Sequence, residues 1–412
     1  MTLLVLWDTE VGRLELTDER SRAYAFRYTH PRRDARAISL ALPVREQPFD
    51  SAESRPFFEA LLPEGVVREQ IAHELRLDPM DTYGLLERLG RDCAGALQIT
   101  PDDAPAVDPD VRWLDGEQLD ELVEQLPRRP LGMRAGDRRM RLSLAGVQRK
   151  AVLVRDDDGR FGEPLDGMPS THILKPDPLD SELPGLAVNE CFCMRLAARC
   201  ALLVAPVELI EAADRGCLVV ERFDRDRATW PPARVHQEDL CQALGLTPAF
   251  KYQHADWRLP SYGALADLLD RHSPQPGVDR LLAARAAVFH FLVGNADAHA
   301  KNIALLHLPD GVRLAPLYDV VATDAYPHLG STLAMAIGDE LDPARIGAAH
   351  WSDLAHDFGL QPRAFEHVRR ALARRTVAEA RRLRAEAHAE GWHDPVVDTI
   401  VETITARAAQ VA

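Results

Sequence analysis

Two spacings of apolar residues alternate along this chain, and its organisation shows where one gives way to the other. From residue 1 to about 100, strand-like pieces at 3–7 and 13–16 are interleaved with helical stretches near 55–75 and 81–89, which predicts an α+β domain. Residues 101–110, Pro-Asp-Asp-Ala-Pro-Ala-Val-Asp-Pro-Asp, are acidic and proline-rich without period and read as a linker. A helix predicted over 116–126 leads into short strands up to about Phe223. Among these, 141–154 reads as strand, tight turn at Gly146 and strand. Residues 152–154 and 160–161 flank the hairpin turn Asp156-Asp-Asp-Gly159, and 171–176 is a short apolar strand. Asn189-Glu190 opens an apolar stretch of helical period at 191–200, and 217–223 reads as a buried strand. Beyond about Asp226 strands become scarce; helices are predicted over 238–244, 281–293 and 364–390, with a strand at 303–308. The pattern divides the chain into 1–105, 106–225 and 226–412, an accessory α+β domain, a strand-rich lobe and a helical lobe.

At 412 residues and 46% hydrophobic content, the chain can bury large cores in two or three lobes. No apolar run approaches the roughly eighteen residues of a membrane span. The first residues carry no basic leader, so a cytoplasmic protein without membrane insertion is expected. The cysteines at 93, 191, 193, 200, 217 and 241 lie in apolar patterns without paired zinc spacing and are expected to be reduced core residues. A formal net charge of −15 argues against a chain that grips nucleic acid over a broad surface. Arg369, Arg370, Arg374, Arg375, Arg381, Arg382 and Arg384 nevertheless crowd one predicted helix. A solvated face balanced by Glu379, Glu386 and Glu390 is the ordinary reading of such a run, and contact with nucleic acid presented by a partner is the other.

Candidate chemistry concentrates in Gly294-Asn-Ala-Asp-Ala-His-Ala-Lys-Asn302 and in Tyr318-Asp319. Transfer of a phosphoryl group from ATP needs a carboxylate that orients the attacking hydroxyl and accepts its proton, and oxygen ligands that hold magnesium against the phosphates. Asp297 suits the first role, Asn302 and Asp319 the second. Asp297 and Asn302 stand at the offset that separates base from metal-binding amide in a kinase catalytic loop. Lys301 between them would neutralise charge on the transferred group. The alternative is that Asn295, Asp297 and Asn302 merely cap and turn the chain between a helix and a strand.

The set gains weight from what precedes it. Lys175 is the single cation of its strand, and a helix would carry Glu190 toward it, against the alternative of a surface glutamate. Backbone groups of Glu221, Arg222 and Phe223 end a buried strand where an adenine-binding hinge would lie. The turn around Gly146 offers amides to phosphates but, with one glycine, reads by itself as a β-hairpin.

These segments, with Phe57-Phe-Glu-Ala-Leu-Leu-Pro-Glu-Gly65, the Gly-Arg-Asp-Cys-Ala-Gly core of 85–97, 143–150, 171–175, Glu221-Arg-Phe-Asp224, 236–245 and Leu314-Ala-Pro-Leu-Tyr-Asp319, resemble the HipA family over nearly the whole length. That family comprises serine/threonine kinase toxins of bacterial toxin–antitoxin pairs. The resemblance implies a two-lobed, protein-kinase-like α+β fold with an N-terminal accessory domain and a helical C-terminal lobe. It implies ATP and Mg2+ as cofactors, and Asp297 as catalytic base assisted by Lys301. The implied ATP site holds Ala145, Gly146, Val147, Gln148, Arg149, Lys150, Lys175, Glu221, Arg222, Phe223, His299, Asn302, Tyr318 and Asp319, with Asn302 and Asp319 on the metal and Glu190 paired to Lys175. Ser143 aligns with the serine that family members autophosphorylate, a change expected to eject the loop through charge repulsion.

The implied partners are a HipB-like helix-turn-helix antitoxin, operator DNA reached mainly through it, and a protein substrate such as an aminoacyl-tRNA synthetase. A co-repressor or scaffold role with little catalysis and a small-molecule kinase are the competing readings. An intact base and metal set favours the enzyme. Ala334-Met-Ala-Ile-Gly-Asp-Glu340 departs from the family's pattern by carrying acids where a less charged turn is expected, which bears on the acceptor side.

Overall fold

The alternation in the first residues becomes an antiparallel sheet. β1 (Thr2–Trp7), β2 (Thr9–Asp18) and β3 (Ala23–Tyr28) pair in the order β3-β2-β1, and β4 (Gln98–Pro101) completes the sheet on the other edge of β1. One face buries Leu3, Val5, Leu14, Tyr24 and Phe26, as a period of two requires, in a core shared with α1 (Ser51–Ala60), α2 (Gly65–Leu75) and α3 (Thr82–Leu89). The single helix expected over 55–75 is two helices. Pro63 lacks an N–H and disfavours the α conformation at the residue before it, so α1 ends at Ala60 with Leu61 as its C-cap and α2 starts afresh at Gly65.

The computed structural model describes residues 2–411 except 32–35, 106, 130, 134–138, 140–141, 147, 180–181, 255–258 and 393. The chain divides into two units. Unit 1 comprises Met1–Pro176, Ala212–Asp214 and Glu221–Ala249, and unit 2 comprises Asp177–Glu211, Arg215–Val220 and Phe250–Ala412.

In unit 1, β5 (Asp110–Trp113) is followed by α4 (Gly116–Gln125), whose first turn is closed by a capping box between Asp115 and Gln118. β6 (Ala151–Arg155), β7 (Phe161–Leu165) and β8 (His172–Pro176) complete an antiparallel run in the order β5-β7-β6-β8. Among the described residues the hairpin expected over 141–154 is not formed. β6 already pairs with β7 and with β8, and the incoming segment bonds elsewhere: Leu142 bridges Asp92, and Ser143 donates its N–H to the Asp92 carbonyl at 2.8 Å. Arg141 and Val147 lie outside the described residues.

α5 (Leu186–Arg199) begins earlier than expected, so Asn189 and Glu190 are inside it; Gly185, at φ 68°, sets its start. β9 (Val207–Ala212) and β10 (Arg215–Glu221) are neighbours, and β11 (Arg225–Asp226) pairs with β12 (Ala233–Arg234). The helix expected over 238–244 is preceded by β13 (His236–Asp239) and runs only as α6 (Leu240–Ala243). Asp239 is extended and caps it together with Gln242, so the helix cannot begin sooner.

In unit 2, α7 (Tyr262–His272), α10 (Pro362–Ala389) and α11 (Pro395–Val411) surround α8 (Pro276–Val293), with α9 (Ala348–Asp357) against α7 and α10; β14 (Ala304–Leu308) and β15 (Gly311–Leu314) form a hairpin. α8 is buried almost throughout its second half, as befits a helix enclosed by others. Along α10 the stripe Phe365, Leu372, Ala373, Thr376, Ala380 and Leu383 is buried while Arg370, Arg374, Arg375, Arg381 and Arg382 are exposed. Arg369 differs. It is buried, stacks 5.1 Å from the Trp351 ring centre and donates to the Val411 carbonyl at 2.8 Å. All six cysteines are buried and unbridged, and no described helix is long and apolar enough to cross a membrane.

Candidate active site

The segment 294–302 is a sharp exit from α8. Gly294, at φ 70°, ends the helix; a side chain there would strike Asp324, so both backbone and space call for glycine. The loop is then pinned from below. Thr323 Oγ1 donates to the Gly294 carbonyl at 3.0 Å and accepts the Ala296 N–H at 2.7 Å, and Asp324 donates its N–H to the same carbonyl at 3.0 Å.

On this base the loop folds around Asp297. Asn295 Oδ1 accepts the Asp297 N–H at 3.0 Å, and the Asp297 carbonyl accepts the His299 N–H at 2.8 Å and the Asn302 Nδ2 amide at 3.2 Å. The Asp297 side chain remains at the surface, where Tyr252 donates its hydroxyl to Oδ1 at 2.8 Å. His299, Lys301 and Asn302 are buried behind it. Tyr318 donates its hydroxyl to the Lys301 carbonyl at 2.5 Å, which ties the Tyr318-Asp319 segment to the loop. Asp319 is half-buried in the left-handed region at φ 57°, an uncommon conformation for a residue with a side chain. Beyond it, Asn189 of α5 exchanges two bonds with Ala322, donating to its carbonyl at 3.1 Å and accepting its N–H at 2.8 Å.

Electrostatics in this cluster follow from burial and from the two acids. Burial, with Lys251 nearby, pushes the His299 pKa below its ordinary value, and the charges of Asp297 and Asp319 only partly oppose it. Its Nδ1 is buried without a partner among the described residues. Asn302 uses its amide nitrogen on the Asp297 carbonyl, so its oxygen is the atom it could offer a metal, and Asp319 could add a carboxylate. Two hard oxygen donors fit Mg2+ completed by phosphate oxygens and water. The described residues gather no group of three or more His, Cys, Asp and Glu side chains of the sort that holds a metal unaided.

Unit 1 carries the other expected residues. Ser143 is buried, with its hydroxyl donating to the Leu61 carbonyl at 2.7 Å. Ala145, Gly146 and Gln148 are half-buried and Arg149 is exposed. Gly146 has φ 110°, and its carbonyl accepts the Glu64 N–H at 3.4 Å. Lys150 is buried and donates to the Ala145 carbonyl at 2.8 Å. Lys175 is buried on β8, and Glu221 and Phe223 are half-buried. Glu190, in unit 2, is fully buried, which overturns its reading as a surface glutamate.

Arg222 has a structural employment of its own. Its backbone N–H donates to the Thr171 carbonyl at 2.9 Å, and its guanidinium grips Asp224 through two bonds of 2.9 and 2.8 Å. Asp92 sits beside this pair and accepts Arg225 at 2.9 Å, Arg234 at 3.1 Å and the Ser170 hydroxyl at 2.6 Å. The sequence segments around 92 and 221–224 therefore meet in one buried ion cluster. Motif reading missed this cluster, and it also missed Tyr252, Thr323 and the Asn189–Ala322 lock, all of them long-range partners with no local signature.

Comparison with known proteins gives the family of the chain. The HipA N-terminal domain matches residues 3–100 and the HipA-like C-terminal domain matches residues 142–380. The serine/threonine-protein kinase toxin HipA of Shewanella oneidensis is 31% identical over 375 residues, covering 86% of this chain and 82% of that protein. Y4mE of Sinorhizobium fredii, a provisionally named kinase, is 42% identical over 375 residues, covering 87% of each. A solved complex of Shewanella oneidensis HipA with HipB and operator DNA contains a chain that superposes with a TM-score of 0.82 at 28% identity, covering 98% of this chain and 96% of that one. The fold is thus the α+β, kinase-like HipA fold that the sequence led us to expect. With a family match across more than half of its length, the chain belongs to the HipA family.

Proposed function

We propose that this protein transfers the γ-phosphate of ATP to a serine or threonine hydroxyl of another protein, as the cytoplasmic toxin of a toxin–antitoxin pair. The observation that carries the reading is Asp297: a surface carboxylate on a loop pinned at both ends, with Asn302 fixed to its backbone and Asp319 tied in through Tyr318. In this reading Asp297 accepts the proton of the attacking hydroxyl, and Lys301 balances charge on the transferred group. Asn302 and Asp319 hold Mg2+, which when bound neutralises the phosphates. Lys175, the segment 145–150 and the backbone of 221–223 are the proposed ATP-holding groups, Glu190 is the proposed partner of Lys175, and His299 is a proposed nucleotide-site residue.

Ser143 is the proposed autophosphorylation site. Its burial means that segment 142–150 must first leave its seat. The solved relative's HipB and operator DNA support an analogous helix-turn-helix antitoxin as partner, with DNA reached through it, and support a co-repressor role as the second reading. Among acceptors, an aminoacyl-tRNA synthetase is the first to try.

The test is intact and peptide-level mass spectrometry of the purified chain after incubation with ATP and magnesium, beside Asp297→Asn. Phosphate on the unmutated chain alone supports the kinase. Equal phosphate on both removes Asp297 from the mechanism, and none on either moves weight to the co-repressor.

A further inference from the structure

The catalytic loop is also held by a short segment that motif reading left without a role. Lys251 accepts the Ala300 N–H at its carbonyl at 3.1 Å, and Gln253 donates its N–H to Ala334 at 2.8 Å and accepts the Ala336 N–H on Oε1 at 2.9 Å. Ala334 in turn donates its N–H to the Ala296 carbonyl at 2.8 Å. Residues 251–253, 296–300 and 334–336 are therefore linked pairwise. The acids of 334–340 that looked out of place sit clear of these bonds: Ile337 bridges Glu340 around Gly338, and the carboxylate of Asp339 is exposed.

Tyr252 stands between these anchors. Its hydroxyl donates to Asp297 Oδ1 at 2.8 Å, and its ring meets His299 edge-on, with centroids 5.2 Å apart at 81°. The bond is charge-assisted, and a surface carboxylate has several rotamers open to it without such a partner. Catalytic geometry tolerates errors of only about 0.5 Å. One donor on Oδ1 fixes the carboxylate and leaves Oδ2 for an acceptor hydroxyl.

We infer that Tyr252 is a positioning residue for phosphoryl transfer, setting the orientation of the Asp297 carboxylate through its hydroxyl and seating the His299 ring with its edge. This inference rests on Asp297 being the base, and the experiment separates the two. ADP release from ATP and magnesium, with a serine- and threonine-containing peptide mixture as acceptor, is measured for the unmutated chain, Tyr252→Phe, Tyr252→Leu and Asp297→Asn. Loss of the hydroxyl should lower kcat about tenfold to a hundredfold with KM for ATP unchanged, and Tyr252→Leu should fall further. Tyr252→Phe with undiminished kcat beside an inactive Asp297→Asn would overturn the Tyr252 role and leave the base intact. So would a shift of kcat and KM together, which marks a merely structural part. Activity retained in Asp297→Asn, or absent from the unmutated chain, overturns the base assignment and this inference with it.

Discussion

Ser143 donates its hydroxyl to the carbonyl of Leu61 at 2.7 Å, in the break between α1 and α2, and only 1% of Ser143 is exposed. The proposed phosphate acceptor is therefore locked against the chain between α1 and α2. A phosphate of roughly two negative charges could not return to a dry seat facing a carbonyl oxygen. We expect Ser143→Asp to release 142–150, read as faster hydrogen exchange across that segment. Ser143→Ala should keep the segment seated, lose about 1 kcal/mol of stability and accept no phosphate there. Identical exchange in Ser143→Asp and the unmutated chain would break the link between charge and loop release.

Asp319→Ala tests the metal assignment. The carboxylate sits at a backbone conformation that nearby bonds impose, through Tyr318 on one side and the Asn189–Ala322 pair on the other. ATP affinity in magnesium should fall by about tenfold or more, while binding without magnesium stays as it was. Equal magnesium dependence in the two proteins would take Asp319 off the metal.

Asp92 is the centre of the buried ion cluster, and its loss should cost stability rather than chemistry. Burial works against its ionisation, yet Arg225, Arg234 and Arg222 outweigh it and hold the carboxyl below the ordinary range. Asp92→Ala would leave buried guanidiniums without their carboxylate, at about 3–5 kcal/mol, seen as a lower urea midpoint. Since the folded pKa is depressed, this contribution is present above the unfolded carboxyl pKa and fades as pH falls through the folded one. A midpoint unmoved by Asp92→Ala would show the cluster to be energetically neutral.

What the sequence revealed and what it hid divide along a physical line. Local patterns carried the first two strands β1 and β2, the hairpin turn at Asp156, the helix near 81–89 and the helix α8, because each depends on neighbours a few residues away. The tight turn of chain that follows α8 was readable for the same reason: Asp297 and Asn302, joined by a side-chain-to-backbone bond, lie five residues apart. The hairpin over 141–154 failed because the pairing of β6 is decided by strands 161–165 and 172–176. The cluster around Asp92 and the bond between Tyr252 and Asp297 join positions far apart in sequence, where neither period nor composition speaks.

His290 lies in the last turn of α8, just before the catalytic loop, and should make the enzyme's stability sensitive to mild acid. Burial pushes its pKa from 6.5 down to about 4. Asn295 Nδ2 lies 3.1 Å from His290 Nδ1; an amide nitrogen only donates, so Nδ1 accepts and the ring proton is on Nε2. Between the two pKa values the unfolded chain binds more protons than the folded one, so stability rises with pH in that window. The contribution is whole above 6.5 and is lost as pH falls through 6.5 toward about 4, by up to roughly 1.4 kcal/mol per pH unit. His172 adds in parallel, lowered to about 3 by burial and then by Arg227 and Arg155. Urea midpoints at neutral and mildly acidic pH should thus differ less in His290→Gln than in the unmutated chain, with the remainder carried by His172. If His290→Gln keeps the full difference, His290 does not carry this pH dependence.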